Sequence, residues 1–486
     1  MEIERFAAQI QNLLINNKGT DIGVVQKKLG EIAAELRAYI GSLGRKRVVE
    51  NLLLRQLYIL AKWLSHNSAF IVDFYCRILF LTLSTYIKQV SIGRKPSLEI
   101  VNEILVVTEE FRNALLWANQ IHPHARAASI SLVNAIDQYL KNQPVEKEEK
   151  RILNRIKRLI EPIRRMSGEE VPLSIPIGDI IFAFFPYDWS VDGARRLLEA
   201  INKLYQQVES LVPFYNQILS RPVFRDIERP TVDNIDTWKH YWSLLITFVN
   251  NTVGDWGWGT LPALDIIVFT GTLIENIADS YAYTYKQPNR LPVFVVNLPI
   301  AKRGSSPADV HLVVHEVTPG HAYHLTYLER GLKEVDGISQ IEQADRIEGK
   351  FPFLSLGVSS LFYEGWATFA QWIFGLRAGR PRYLYQWIIE LYLYLQRLAF
   401  VIGRKKADLL HQSRLTDPLQ LVSYFFGFLW WKSFYRAVGG DDEELLRYAL
   451  HGEFPPLSEV TEEDIIATLN ETYEEVIRIQ QYGQMK

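Results

Sequence analysis

Cysteine is almost missing from this 486-residue sequence: only Cys76 is present. A lone thiol forms no intramolecular disulfide and cannot build a thiolate zinc cage, so neither device holds the fold. Its apolar setting, Tyr75-Cys76-Arg77-Ile78-Leu79-Phe80, predicts a buried and inert side chain. Net charge is also lacking, at a formal -2, which removes the electrostatic case for a nucleic acid or an anionic membrane as partner. The longest apolar region, Ala69 to Ile87, is interrupted by Asp73 and Arg77 and so reads as a core helix, not a membrane span. The opening residues, Met1-Glu2-Ile3-Glu4-Arg5, lack the basic-then-apolar pattern of a secretory signal, and the expected location is the cytoplasm.

Apolar residues are abundant, at 48%, and recur at three- and four-residue spacing over most of the chain. That period predicts a predominantly helical protein. The polar stretch Gln143 to Lys150 and the break Ser167 to Pro172 bracket a boundary near residue 165, and Ile175 to Gly178 reads as loop or short strand. Gly254 to Gly259, rich in glycine and tryptophan, predicts an irregular loop. The best strand candidate is Val293 to Asn297, β-branched and aromatic between Pro292 and Pro299. Prolines at both ends predict an edge strand, with backbone groups free to pair with something else.

Shortly after that strand comes His315-Glu316-Val317-Thr318-Pro319-Gly320-His321. Two histidines at i and i+4 with an intervening glutamate make the zinc site of many metalloproteases. Here the second histidine stands at i+6, and six helical residues turn through about 600°, which puts the two rings on separate faces. Pro319 clashes with the carbonyl four residues earlier, and Gly320 reaches backbone angles closed to other residues. A two-residue bulge there would return His321 to His315; two histidines flanking an ordinary helix end is the competing reading. A third donor is Glu364, acidic within the largely apolar Phe362 to Phe369. Such a carboxylate needs a metal, an arginine or solvent. His122-Pro123-His124 has no carboxylate nearby and reads as a surface turn.

The combination of His315-Glu316-x-x-Pro319-Gly320-His321, Glu364-Gly365-Trp366-Ala367 and Pro418-x-Gln420-x-x-x-Tyr424-x-x-Gly427 resembles domain-of-unknown-function family 885. Members of that family are read as zinc metallopeptidases, similar in motif layout to the gluzincins and more distantly to carboxypeptidase Taq. The resemblance covers roughly residues 250 to 470. It implies a mainly α, large two-lobed zincin-like fold with a small β-sheet beside the active-site cleft. Residues 1–165 would form an N-terminal helical region and 166–486 the metallopeptidase-like catalytic region. It further implies one Zn²⁺ on His315, His321 and Glu364, with Glu316 as general base. By analogy with gluzincin tyrosines, Tyr424 is the candidate oxyanion donor, with a core tyrosine whose hydroxyl is satisfied as the competing reading.

Two imidazoles and one carboxylate leave Zn²⁺ a net charge of about +1 and an open position, which suits hydrolysis of a peptide or small amide. Strand addition along Val293 to Asn297 would place Val295 and Asn297 against the substrate. His311, His324 and Gln371 are the candidate supports of the ligands, with a solvated or packed ring as the competing reading for each histidine. The chain departs from the family pattern at Ala322, His324, Phe369 and Gln371, which points to altered specificity. The leading expectation is a carboxypeptidase or oligopeptidase. The alternatives are an amidohydrolase acting on a non-peptide amide and a non-catalytic helical binding protein with a vestigial site.

Overall fold

Helices dominate the described chain, as the apolar spacing requires. The computed structural model describes residues 2–15, 21–43, 47–66, 144–164, 175–221, 227–269, 282–333, 337–404 and 418–484, less residues 233, 287–288, 303–304, 352–353, 355 and 457–458, plus isolated residues between 102 and 141. Cys76, the stretch Ala69 to Ile87, the break Ser167 to Pro172 and His122-Pro123-His124 lie outside the described residues. No helix among the described residues is long and apolar enough to cross a membrane.

The first helices are α1 (Glu2–Ile15), α2 (Ile22–Ser42), α3 (Val48–His66), α4 (Lys147–Arg164), α5 (Ile177–Phe184), α6 (Val191–Leu219) and α7 (Ile235–Gly254). Strands β1 (Asp265–Phe269), β2 (Ala282–Tyr285) and β3 (Val293–Asn297) follow. Then come α8 (Leu298–Ala301), α9 (Ser306–Glu316), α10 (His321–Gly331), α11 (Gln340–Lys350), α12 (Val358–Arg377) and α13 (Pro381–Val401). The chain closes with α14 (Pro418–Ala437), α15 (Asp442–His451) and α16 (Glu462–Gln484). Local chemistry sets several starts. Ser190 and Asn234 cap α6 and α7, and a reciprocal Ser339–Glu342 capping box opens α11. Ile177 opens α5 with Pro176 at its N-cap, so the expected loop or short strand at 175–178 is a helix start.

One hydrophobic core extends from Ile3 to Ile479, so residues on both sides of position 165 share it. Helix α3 is fastened to the rest by polar contacts. Gln56 Oε1 accepts from the Gly357 N–H at the start of α12 (2.6 Å), and Arg55 and Lys62 pair with Asp188 and Asp179.

The sheet corrects one expectation. Its order is β1-β3-β2, with β1 parallel and β2 antiparallel to β3. β3 is therefore the central strand, not an edge. Phe294, Val295 and Val296 are buried side by side, the pattern of a strand covered on both faces. The flanking prolines stay outside the ladder: Pro292 precedes it, its carbonyl accepting from Asp265 N–H, and Pro299 belongs to α8. A missing N–H at those positions breaks no strand pairing.

Candidate metal centre

The two histidines are joined by a chain reversal. Helix α9 ends at Glu316, residues 317–320 turn, and His321 is the first residue of α10. Pro319 does break the helix, and the break is complete where a two-residue bulge was the expected form. The Thr318–Pro319 peptide is cis. Tyr323 N–H donates to Val317 O and His324 N–H to Gly320 O, which starts the new helix against the end of the old one. Gly320 passes so close to α9 that a Cβ there would lie 1.7 Å from His315 O, so only glycine fits. Trp366 Nε1–H donates to Pro319 O (2.7 Å) and fixes the turn from the side of α12. Thr284 of β2 donates to Glu316 O, which ties the sheet to the end of α9. His315 and His321 now face each other, ring centroids 4.9 Å apart and planes at 90°.

Helix α12 delivers Glu364, and α14 crosses it closely. A Cβ on Gly365 would stand 2.5 Å from Gly427 Cα, and one on Gly427 would stand 2.4 Å from Leu361 O. The two motif glycines thus let the backbones touch. One turn before Gly427, Tyr424 is thereby laid on the site: its ring stacks on His315 at 6.0 Å and on Tyr394 at 5.5 Å.

Glu364 Oε2 lies 3.2 Å from His315 Nε2 and 3.2 Å from His321 Nε2. The donor atoms of the three residues all fall within 4.8 Å of one another. Four-coordinate ions with bonds of about 2.0–2.1 Å have ligand atoms about 3.3 Å apart, so the two measured separations match edges of such a tetrahedron. Two imidazole nitrogens and one carboxylate oxygen are also a donor set that binds divalent ions. The triad can therefore hold a metal ion.

Electrostatics tie the three together. Burial pushes the Glu364 carboxyl up, but His321 and His315 more than reverse this and hold it well below the usual carboxylate range. Burial opposes charge on His321, yet Glu364, with Glu316 adding, raises its pKa to about 9. Glu316 itself is raised, chiefly by burial, with the nearby histidines pulling the other way and Glu364 adding to the rise. A raised carboxyl beside the ligands is a better proton acceptor than an ordinary surface glutamate. Burial, with the Glu364 charge adding, also raises Tyr424, so its hydroxyl stays protonated and able to donate.

Gln371 joins the site as a support: its Oε1 accepts from His315 Nδ1 (3.3 Å) and from the Tyr394 hydroxyl (2.7 Å). A donor role for Nδ1–H leaves His315 Nε2 as the free lone pair facing Glu364. His311 takes part through its carbonyl, which accepts from Gln371 Nε2 (3.2 Å). Its ring packs near Phe374 and Tyr383, and burial lowers its pKa to about 3. His324 makes no hydrogen bond to a ligand. Its Nε2–H donates to Ala449 O (2.8 Å) among Phe362, Tyr363 and Trp366, and it is neutral through burial, with a pKa of about 3. Val295 and Asn297 are 1% and 2% exposed on the central strand, so strand addition there is closed. The loop after α7 is packed inward: Trp258 stacks on Trp366, and its Nε1–H donates to Asp442.

The fold and site define a mainly helical protein with a small three-stranded sheet and a His-His-Glu triad suited to a metal ion. No family model matches the chain, and no curated protein matches it either. Among solved structures, the fold is similar to the crystal structure of the "putative lipoprotein from Colwellia psychrerythraea", with a TM-score of 0.53 and 12% identity over 98% of this chain and 99% of that one. At that identity the likeness concerns the fold alone, and function must be argued from the site.

Proposed function

We propose that this protein is a zinc-dependent hydrolase of peptidase type, with the ion on His315, His321 and Glu364. The observation that carries the reading is the meeting of these three residues, with Glu364 at tetrahedral spacing from both histidines, beside a buried Glu316 whose pKa is raised. The motif resemblance to family 885 points the same way through these same residues, while no family model matches the chain.

A bound Zn²⁺ would polarise the scissile carbonyl and acidify a water molecule. Glu316 is the residue to take the proton from the attacking water and pass it to the amine nitrogen as the C–N bond breaks. Tyr424 would donate to the oxygen on which negative charge develops, a role supported by its stacking on His315 and its protonated hydroxyl. Gln371 holds the His315 ring in the tautomer a ligand needs.

Glu316→Gln tests the assignment. The variant is expected to retain one zinc per chain by elemental analysis while peptide hydrolysis falls by about 10²–10⁴-fold. A zinc-loaded wild type that leaves a broad peptide library intact would sink the reading.

A further inference from the structure

Three buried or partly buried arginines have carboxylate partners: Arg55 pairs with Asp188, Arg229 with Asp309 and Arg377 with Asp442. Arg397, near the end of α13, differs from these three. Among the described residues no carboxylate lies within ion-pair distance of it, and its Nε is buried without a hydrogen-bond partner. Its guanidinium rests on rings instead, 4.6 Å from the centroid of Tyr424 and 5.4 Å from that of Tyr394. Tyr424 is the ring that stacks on His315, so the cation stands one aromatic ring away from the triad.

Partial burial of a guanidinium without a counter-charge carries a cost, and stacking on tyrosine compensates only part of that. Its planar donors match a carboxylate two at a time. We infer that Arg397 receives the free C-terminal carboxylate of the substrate, which makes the enzyme a carboxypeptidase. This inference rests on the peptidase reading of the same site and adds the end of the peptide that is recognised.

The test uses the zinc-loaded full chain and an N-blocked tripeptide offered as free acid and as C-terminal amide. Wild type is expected to cleave the acid with kcat/KM about tenfold or more above the amide, the difference a bidentate charged hydrogen bond supplies. In Arg397→Gln the preference disappears, mainly through KM, and Arg397→Lys restores part of it. Zinc content and melting temperature establish that both variants are folded. Binding gives a readout apart from turnover: by calorimetry, Glu316→Gln binds the acid more tightly than the amide, and adding Arg397→Gln abolishes the difference. If wild type cleaves acid and amide alike, or Arg397→Gln keeps the preference, the arginine assignment falls and the peptidase reading stands. If wild type cleaves neither and Glu316→Gln binds neither, both fall together.

Discussion

Glu364 is the residue on which the centre depends, because its Oε2 lies 3.2 Å from both imidazoles. Removing its charge would leave His315 and His321 without the group that draws them to one point. The same coupling makes the metal-free protein sensitive to pH. His321 has a pKa of about 9 against an ordinary 6.5, so its pair with Glu364 stabilises the fold fully below about pH 6.5, and that contribution is lost as pH rises through about 9. Glu364 is shifted the other way. Its contribution is present above its ordinary value of 4.5 and is lost as pH falls toward its depressed pKa. A metal ion bound at the triad would replace the proton on His321. The chelated protein is therefore expected to lose melting temperature between pH 7 and 10 more steeply than the zinc-loaded protein. Melting curves with and without chelator measure this, and parallel profiles would contradict it.

At the scale of elements, the site is made by one helix break and one helix crossing. The break between α9 and α10 was legible in part, since Pro319 and Gly320 interrupt a histidine pair whose spacing fits no straight helix. What those two residues could not announce is Trp366, which reaches from α12 to hold the Pro319 carbonyl. The crossing was hidden as well. Gly365 and Gly427 belong to separate motifs, and only their contact explains why both are glycine and how Tyr424 reaches His315. Gly427→Ala should force α12 and α14 apart, because its Cβ would sit 2.4 Å from Leu361 O. Overpacking of this kind costs about 1–3 kcal/mol. The expected outcome is a lower denaturant midpoint together with reduced turnover. An unchanged midpoint would mean the helices can separate without strain.

The whole molecule is joined through a shared core. Helices α1 to α3 contribute Phe6, Leu36 and Leu57 to the same cluster that contains Phe362 and Trp431 beneath the site, and Gln56 supplies the acceptor for the first turn of the ligand helix α12. Residues 166–486 alone would expose that apolar surface and leave the Gly357 N–H without its partner. A fragment spanning 166–486 is thus expected to lose cooperative unfolding and to bind no stoichiometric zinc, while the full chain melts in one transition. Circular dichroism and elemental analysis of the fragment decide the matter. A fragment as stable and as zinc-competent as the full chain would refute the dependence.

The sequence by itself determined the helical character, because apolar period is a local property, and it singled out His315, Glu316, His321, Glu364 and Gln371 through residue chemistry and motif order. Tertiary structure decided what depends on neighbours distant along the chain. β3 reads as an edge strand until β1 and β2 are seen on its two sides, since prolines mark where a ladder stops but not how many strands share it. The ring of His324 lies near the ligands in sequence but turns to Ala449 O instead, and Arg397 carries no motif yet stands beside Tyr424. Side chains meet across helix crossings, and no spacing along one chain segment encodes where another will cross it.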